Sequence, residues 1–289
     1  MFRQLGLIGC GLMGGSFALA LKRAGLVQHV VGYSKSPSTV LQAQRLGVVD
    51  QPAESALLAV AGSDIVLIAV PVAATEATFR AIRHLVHQDT LFMDVGSTKH
   101  DVVEAARRAL KERVRNFVPA HPVAGKEKSG IAHADAALYR DCRVVLTPIA
   151  ETDATLLERA RAAWTGIGAQ VVTMTAQAHD DAFAAVSHLP HLLAYATYLA
   201  VARQPEGRRF LELAGPGFRD FTRIAASDAA IWRDILLANR TQVLHQSELF
   251  RTVLAEFEDA MKRGDAEAVE GLIAQAARGR AAWQPGGVR

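Results

Sequence analysis

The chain has 289 residues, 50% of them hydrophobic and 21% charged, a balance that excludes a disordered or fibrous chain and leaves room for two domains with real cores. Its formal net charge is +3 with His neutral, and its pI is near 9.0. No Lys/Arg block is interleaved with aromatic residues, which argues against a nucleic-acid partner.

From residue 3 to about 173, short apolar runs alternate with amphipathic ones. Strands are expected over 5–9, 29–33, 65–70, 91–95, 116–120, 143–147 and 170–174. Helices are expected between them, over 16–24, 37–46, 73–85 and 99–111. This rhythm predicts a largely parallel, doubly wound α/β sheet, with the last two strands either antiparallel or at an edge. After Met174 the strand signal stops, and 177–202, 228–262 and 265–283 read as helices, with Asp265 an N-cap and Ala214-Gly215-Pro216-Gly217 a turn between helices. The domains predicted are 1–174, dinucleotide-binding and Rossmann-like, and 175–289, all-α. The long apolar helices of the second half predict a homodimer through it, and the tail 284–289 is expected to fray.

Cys10 and Cys142 make no disulfide framework and read as reduced structural residues. The N-terminus enters a strand at once, without the pattern of a signal peptide, and no apolar run reaches the length of a membrane span. The expectation is a cytoplasmic protein with no membrane partner.

Gly9-Cys10-Gly11-Leu12-Met13-Gly14 follows the first strand and opens a helix. Gly9 suits the tight turn, Gly11 lets a pyrophosphate approach, and Gly14 lets helix and strand pack closely. The phosphates would sit at the helix N-terminus, on Leu12 and Met13. At the end of the second strand an NAD-preferring site usually has an acidic residue for the ribose hydroxyl. Here the residues are Tyr33-Ser34-Lys35-Ser36, and Ser34 and Lys35 could donate to a 2′-phosphate, which favours NADP over NAD. The alternative is that Lys35 points into solvent and the pocket takes either cofactor. Val70-Pro71 and Ser97-Thr98 end two further strands at the same crevice. Ser97 and Thr98 either bond cofactor or substrate, or cap the next helix.

His121-Pro122-Val123-Ala124-Gly125-Lys126-Glu127 follows the strand over 116–120, so His121 is expected in a loop at a strand's carboxyl end. Histidine is the usual base near neutral pH, and Glu127 on the same loop could steer it. In Ser187-His188-Leu189-Pro190-His191 two histidines share a helix face, and Pro190 frees a backbone carbonyl and kinks the helix. No third ligand of fitting spacing lies beside them, so no metal is expected. Arg223, after Asp220-Phe221-Thr222, offers a planar fork for a carboxylate, or else a salt bridge to Asp220 or Asp228.

Together these motifs resemble the prephenate/arogenate dehydrogenases of tyrosine biosynthesis, over nearly the whole chain. The resemblance rests on the glycine loop, Asp94-Val95-Gly96-Ser97-Thr98-Lys99, the His121 loop with Glu127-Lys128-Ser129-Gly130, Ser187 to His191, the run from Gly217 through Arg223 to Ala225, and Ser227-Asp228 with Trp232-Arg233-Asp234. It implies oxidative decarboxylation of a cyclohexadienol, with hydride passing to the nicotinamide and the ring carboxylate leaving as CO2. It implies that His121 accepts from the substrate hydroxyl, that Ser97 assists it, and that Arg223 and His191 hold the substrate. It implies that Glu127 gates or orients the pocket, that Trp232 and Asp220 support pocket or dimer, and that the helical domain dimerises. The chain departs from many members at Ser34, where an Asp is common. No chorismate mutase segment or regulatory domain is expected, so any feedback by tyrosine would act at the active site. Two other readings are a β-hydroxyacid dehydrogenase, whose usual helix lysine has no match here, and a non-catalytic NADP(H)-binding sensor, which would leave His121, His191 and Arg223 unused.

Overall fold

The apolar runs of the first half pair side by side in the computed structural model, which describes residues 1–85, 87–126 and 128–283. Glu127 and the tail 284–289 therefore lie outside the described residues. One sheet holds β1 (Phe2–Ile8), β2 (Val27–Tyr33), β3 (Gln51–Pro52), β4 (Ile65–Ile68), β5 (Leu91–Asp94) and β6 (Phe117–Val118), in the order β3-β2-β1-β4-β5-β6. Every pairing in it is parallel. Between the strands run α1 (Leu12–Arg23), α2 (Pro37–Arg45), α3 (Ala56–Val60), α4 (Val72–Ile82) and α5 (His100–Leu110). The strand order reverses between β1 and β4, so a ligand crevice lies beyond their carboxyl ends. Ile65-Val66-Leu67-Ile68 is buried at every residue, because a parallel sheet is covered on both faces. One core gathers Leu5, Leu7, Phe17, Tyr139 and Trp164; the other gathers Val66, Ile68, Phe79, Phe92 and Phe117.

A second sheet has the order β7-β8-β9, formed by β7 (Ala120–Pro122), β8 (Arg143–Leu146) and β9 (Gln170–Thr173). β7 is antiparallel to β8, β8 is parallel to β9, and α6 (Ala154–Gly166) links the last two. The strand expected over 116–120 is thus two strands in two sheets. Pro119 divides them, since it has no N–H to continue a ladder. His121 consequently lies inside β7, paired with Val145, and not in a loop. The two-residue β3, half of it proline, carried no strand signal.

The second half is helical: α7 (Ala176–Phe183), a π-helical segment Ala184–His188, α8 (Leu189–Ala202), α9 (Gly207–Glu212), α10 (Pro216–Thr222), α11 (Ala229–Ala238), α12 (Arg240–Arg263) and α13 (Ala266–Ala282). The helix expected over 228–262 is broken at Asn239, which ends α11. The Gly-Pro-Gly turn is the start of α10, with Gly215 its N-cap and Pro216 in its first turn. Asp265 caps α13 by accepting from Ala268 N–H at 3.0 Å.

By packing, the chain forms two compact units, 1–240 and 241–289. The helices between 175 and 240 join the first unit, where α7 packs on α5 and α11 on α4. The strand-bearing segment ends near 174 as expected from its periodicity, but the packing unit does not. The second unit holds the bulk of α12 and all of α13, joined at Gly264. Among the described residues no helix is long and apolar enough to cross a membrane. Cys10 and Cys142 are free thiols; burial pushes the Cys10 thiol up to about 12.

Candidate active site

The turn from β1 into α1 is built by contact. Gly9 has φ 98°, a left-handed conformation that glycine adopts without strain. A Cβ on it would lie 2.2 Å from the Ala69 carbonyl oxygen, and one on Gly14 would lie 2.3 Å from the Gly9 oxygen. A Cβ on Gly11 would instead meet nothing within 4 Å. Gly11 is the N-cap of α1, and no side chain caps that end. The first N–H groups of the helix, at Leu12 and Met13, need an acceptor from outside it. A pyrophosphate at the positive end of the helix dipole meets that need, so the donor set fits a dinucleotide.

Ser34 is half-buried and Lys35 exposed just after β2, with no Asp or Glu between Tyr33 and Pro37. Val70 packs on the second core, and the exposed Pro71 is the N-cap of α4. Ser97 is half-buried. Thr98 is fully buried, with its hydroxyl facing Asp101. Burial holds the Asp101 carboxyl above its ordinary range, and that hydroxyl works against the rise. Neither Ser97 nor Thr98 caps α5. The cap comes from Asp180 on α7, whose carboxylate accepts from Lys99 N–H and His100 N–H, each at 2.8 Å.

Asp180 also closes the central hydrogen-bonded line. His121 Nδ1 lies 2.8 Å from His179 Nε2, and His179 Nδ1 lies 2.7 Å from Asp180 Oδ1. All three are buried. Burial opposes ionisation of Asp180, but the bonds from His179, His100 and Lys99 outweigh it and hold the carboxyl below its ordinary value. An ionised carboxylate only accepts, so His179 Nδ1 donates. Burial, aided by the Lys99 cation and opposed by Asp180, lowers the affinity of His179 for a second proton. A neutral His179 then accepts at Nε2, and His121 donates from Nδ1. Burial first, then the charges of His179, Lys99 and His188, push the His121 pKa well below 6.5. His121 is therefore neutral near pH 7, with its proton on Nδ1 and the lone pair on Nε2. Phe183 covers the pair, with ring centroids 4.4 Å from His179 and 4.7 Å from His121.

A second cluster lies on the helices. The π-helical segment ends one residue before Leu189-Pro190, as expected where proline cannot supply a ladder N–H. His191 Nδ1 donates to the Ser187 carbonyl at 2.9 Å, which leaves its Nε2 an acceptor. Its ring stacks on Trp232 at 3.4 Å between centroids and 20° between planes. Burial lowers the His191 pKa, the Ser187 bond opposes that, and the nearby Arg223 charge adds to it. Arg223 is exposed and opens the single 3-10 turn after α10. Nearby, Asp220 pairs with Arg219 at 3.3 Å, and Asp228 caps α11 by accepting from Ala230 and Ile231 N–H. His188, three residues before His191, meets the same Trp232 ring edge-on at 6.1 Å between centroids, so the two histidines share that face as expected. His188 Nδ1 takes the Asn239 side-chain N–H at 3.1 Å, and burial brings the His188 pKa down to about 4. Asn239 also donates to the Asp180 carbonyl at 2.8 Å, tying the two clusters together.

Reading the sequence alone missed His179, Asp180 and Asn239, and it treated Lys99 only as part of a motif. In Ala178-His179-Asp180-Asp181-Ala182 the charges resemble a solvated helix face. The available signal was the i, i+4 spacing of His179 and Phe183, which puts an imidazole on an apolar stripe.

The comparisons with known proteins agree along the chain. The family model for the nucleotide-binding domain of prephenate dehydrogenase matches residues 17–173, and that for its dimerization domain matches 175–275. The prephenate dehydrogenase of Bacillus subtilis is 36% identical over 266 residues, 90% of this chain and 71% of that protein. The cyclohexadienyl dehydrogenase of Zymomonas mobilis is 32% identical over 269 residues, covering 92% and 91%. The crystal structure of Aquifex aeolicus prephenate dehydrogenase with hydroxyphenyl propionate and NAD+ is 33% identical and superposes with a TM-score of 0.91, over 97% of this chain and 98% of that one.

Proposed function

Since the chain belongs to the prephenate dehydrogenase family, we propose that it oxidatively decarboxylates prephenate, L-arogenate or both, giving 4-hydroxyphenylpyruvate or L-tyrosine. The observation that carries this reading is the line from Asp180 through His179 to His121, which leaves a neutral imidazole with Nε2 as acceptor. When bound, the oxidised nicotinamide takes hydride from the ring carbon that bears the hydroxyl. His121 Nε2 accepts from that hydroxyl and takes its proton as the carbonyl forms. The imidazolium then shares its Nδ1 proton with His179, whose own proton faces the Asp180 carboxylate. Loss of the ring carboxylate as CO2 makes the ring aromatic and draws the step forward.

In this reading Arg223 and His191 hold substrate anion and ring substituents, and the Trp232 stack fixes the His191 plane. Ser97 assists His121 from the β5–α5 connection, and Glu127 orients the pocket. Gly9, Gly11, Leu12, Met13, Gly14, Val70 and Pro71 form the dinucleotide side, while Thr98, expected there too, is fully buried and supports the site from beneath. Ser34 and Lys35, with no neighbouring carboxylate, favour NADP over NAD. Residues 1–174 then form the cofactor part and 175–289 the substrate and dimerisation part. A homodimer through the latter is supported by the match to the dimerization-domain model and by exposed apolar side chains such as Leu213 (79%) and Leu244 (64%).

The test is a kinetic matrix of prephenate and arogenate against NAD and NADP. Turnover with at least one pair is expected, with the higher kcat/KM for NADP. No turnover with any pair would remove the reading, and a strong preference for NAD would remove the cofactor assignment. Sedimentation of an active monomer at micromolar concentration would refute the dimer.

A further inference from the structure

Residue 120 sits where two sheets part. β5 and β6 stay in register only to Met93 and Val118. On the β7 side, Thr147 N–H donates to the Pro119 carbonyl at 3.0 Å and Val123 N–H to the Arg143 carbonyl at 2.8 Å. In an antiparallel ladder such bonds fall on alternate residues. Ala120 is the intervening residue, so its N–H and C=O point away from β8, toward the edge that β5 has already left. Two side chains take the place of the missing strand. Asp94 Oδ1 accepts from Ala120 N–H at 2.9 Å, and Lys99 Nζ donates to the Ala120 carbonyl at 2.8 Å. The two side chains also pair with each other, Lys99 Nζ on Asp94 Oδ2, and that oxygen takes Gly96 N–H at 2.8 Å.

Both residues are buried, Lys99 at 0% and Asp94 at 2% exposure. A buried ion pair is a poor stabiliser, because desolvation offsets most of its attraction and apolar residues of similar size do as well. This pair does what apolar residues cannot, since it satisfies both backbone polar groups of Ala120, the residue leading into His121. Lys99 also reaches the other end of the line, where its main-chain N–H donates to Asp180.

We propose that Asp94 and Lys99 are positioning residues: they clamp the Ala120 backbone and, through the Lys99 N–H, Asp180, so that His121 and His179 meet at a set separation. This rests on His121 being the hydroxyl acceptor. The charged and titratable groups acting on His121 are His179 from α7, His188 from the π-helical segment and Lys99 from the head of α5, with Asp180 behind His179 and Asp94 beside Lys99. Lys99 is the one cation among them that can be removed without touching an imidazole.

The experiment compares Lys99→Met with the double variant Asp94→Asn/Lys99→Met. The single change strands a buried carboxylate and risks misfolding. The double change leaves a neutral pair whose Asn oxygen still accepts from Ala120 N–H. The readouts are kcat and KM against pH, and an NMR titration of His121 with isotope-labelled histidine, which needs no turnover. Both variants should lose about 10–100-fold in kcat, the scale of a sub-ångström to 1 Å misplacement, with the cofactor KM little changed. The His121 midpoint should rise, and the acid limb of the kcat/KM profile should move to higher pH with it. A folded double variant with wild-type kcat and an unmoved His121 midpoint would overturn the clamp. His121→Asn is measured alongside. Wild-type turnover in that variant would sink the role of His121, while the NMR midpoint still judges the clamp separately.

Discussion

Replacing His179 with leucine removes the only acceptor found for His121 Nδ1 among the described residues. His121 is 8% exposed, so water does not readily replace it. A buried donor left without an acceptor costs about 1–3 kcal/mol. That cost falls on the tautomer with its proton on Nδ1, the one that leaves Nε2 able to take the substrate hydroxyl. At about 1.4 kcal/mol per tenfold, His179→Leu should lower kcat by about 5–150-fold. KM should change little, because the lost interaction lies behind the base and not against the substrate. His179→Gln offers a carbonyl oxygen on a side chain of similar reach and should recover part of the loss. The assay is the initial rate of reduced-nicotinamide formation at saturating substrate, with thermal melts to show that each variant is folded. If a folded His179→Leu runs within about twofold of wild type, or if Leu and Gln lose equally, the imidazole does not set the His121 tautomer.

Other perturbations separate chemistry, binding and folding. His121→Asn should cut kcat by about 10²–10⁴-fold with little change in KM, the range for a lost acid/base group, and a near-wild-type rate would refute its role. Arg223→Ala should mainly raise the substrate KM, so a pure kcat loss would count against carboxylate binding. Gly11→Ala should fold normally yet raise the cofactor KM, because its Cβ meets no protein atom within 4 Å, whereas Gly9→Ala should lower the melting temperature, because its φ is 98° and its Cβ would lie 2.2 Å from the Ala69 oxygen. Equal melting of the two variants would contradict that division. The His188 pKa falls from 6.5 in the open chain to about 4 on folding. Below 6.5 the unfolded chain therefore binds a proton that the folded chain does not. Stability from this group is full above that value and is lost as pH falls toward 4, by about 3 kcal/mol in all. His121, His179 and His191 are shifted the same way and add to the trend. Melting temperature should drop between about pH 7 and about pH 5, less so in His188→Gln, and a flat curve would refute the assignment.

Local chemistry made much of this protein legible before folding. Gly9, Gly11 and Gly14 follow a strand at a spacing that only a close turn into a helix explains, and the structure puts an atom where each Cβ of Gly9 and Gly14 would go. The periodicity switch near Met174 marks the end of the strands, because strand and helix repeats are properties of neighbours along the chain. His121, His191 and Arg223 stand out as polar residues in apolar or turn contexts. Long-range placement stayed hidden. Nothing in Ala178-His179-Asp180 says that His179 meets a residue 58 positions earlier, or that Asp180 caps a helix 80 positions earlier. The break at Pro119 leaves the Ala120 N–H and C=O, which point away from β8, without a strand to bond, and which side chains answer them depends on where β5 ends in space. Burial then assigns the protons, since desolvation depresses His121 and three donors keep Asp180 ionised. Residue type and spacing thus specified the elements and the reactive groups, while the meeting of distant segments in a dry interior chose the tautomers and charges with which those groups act.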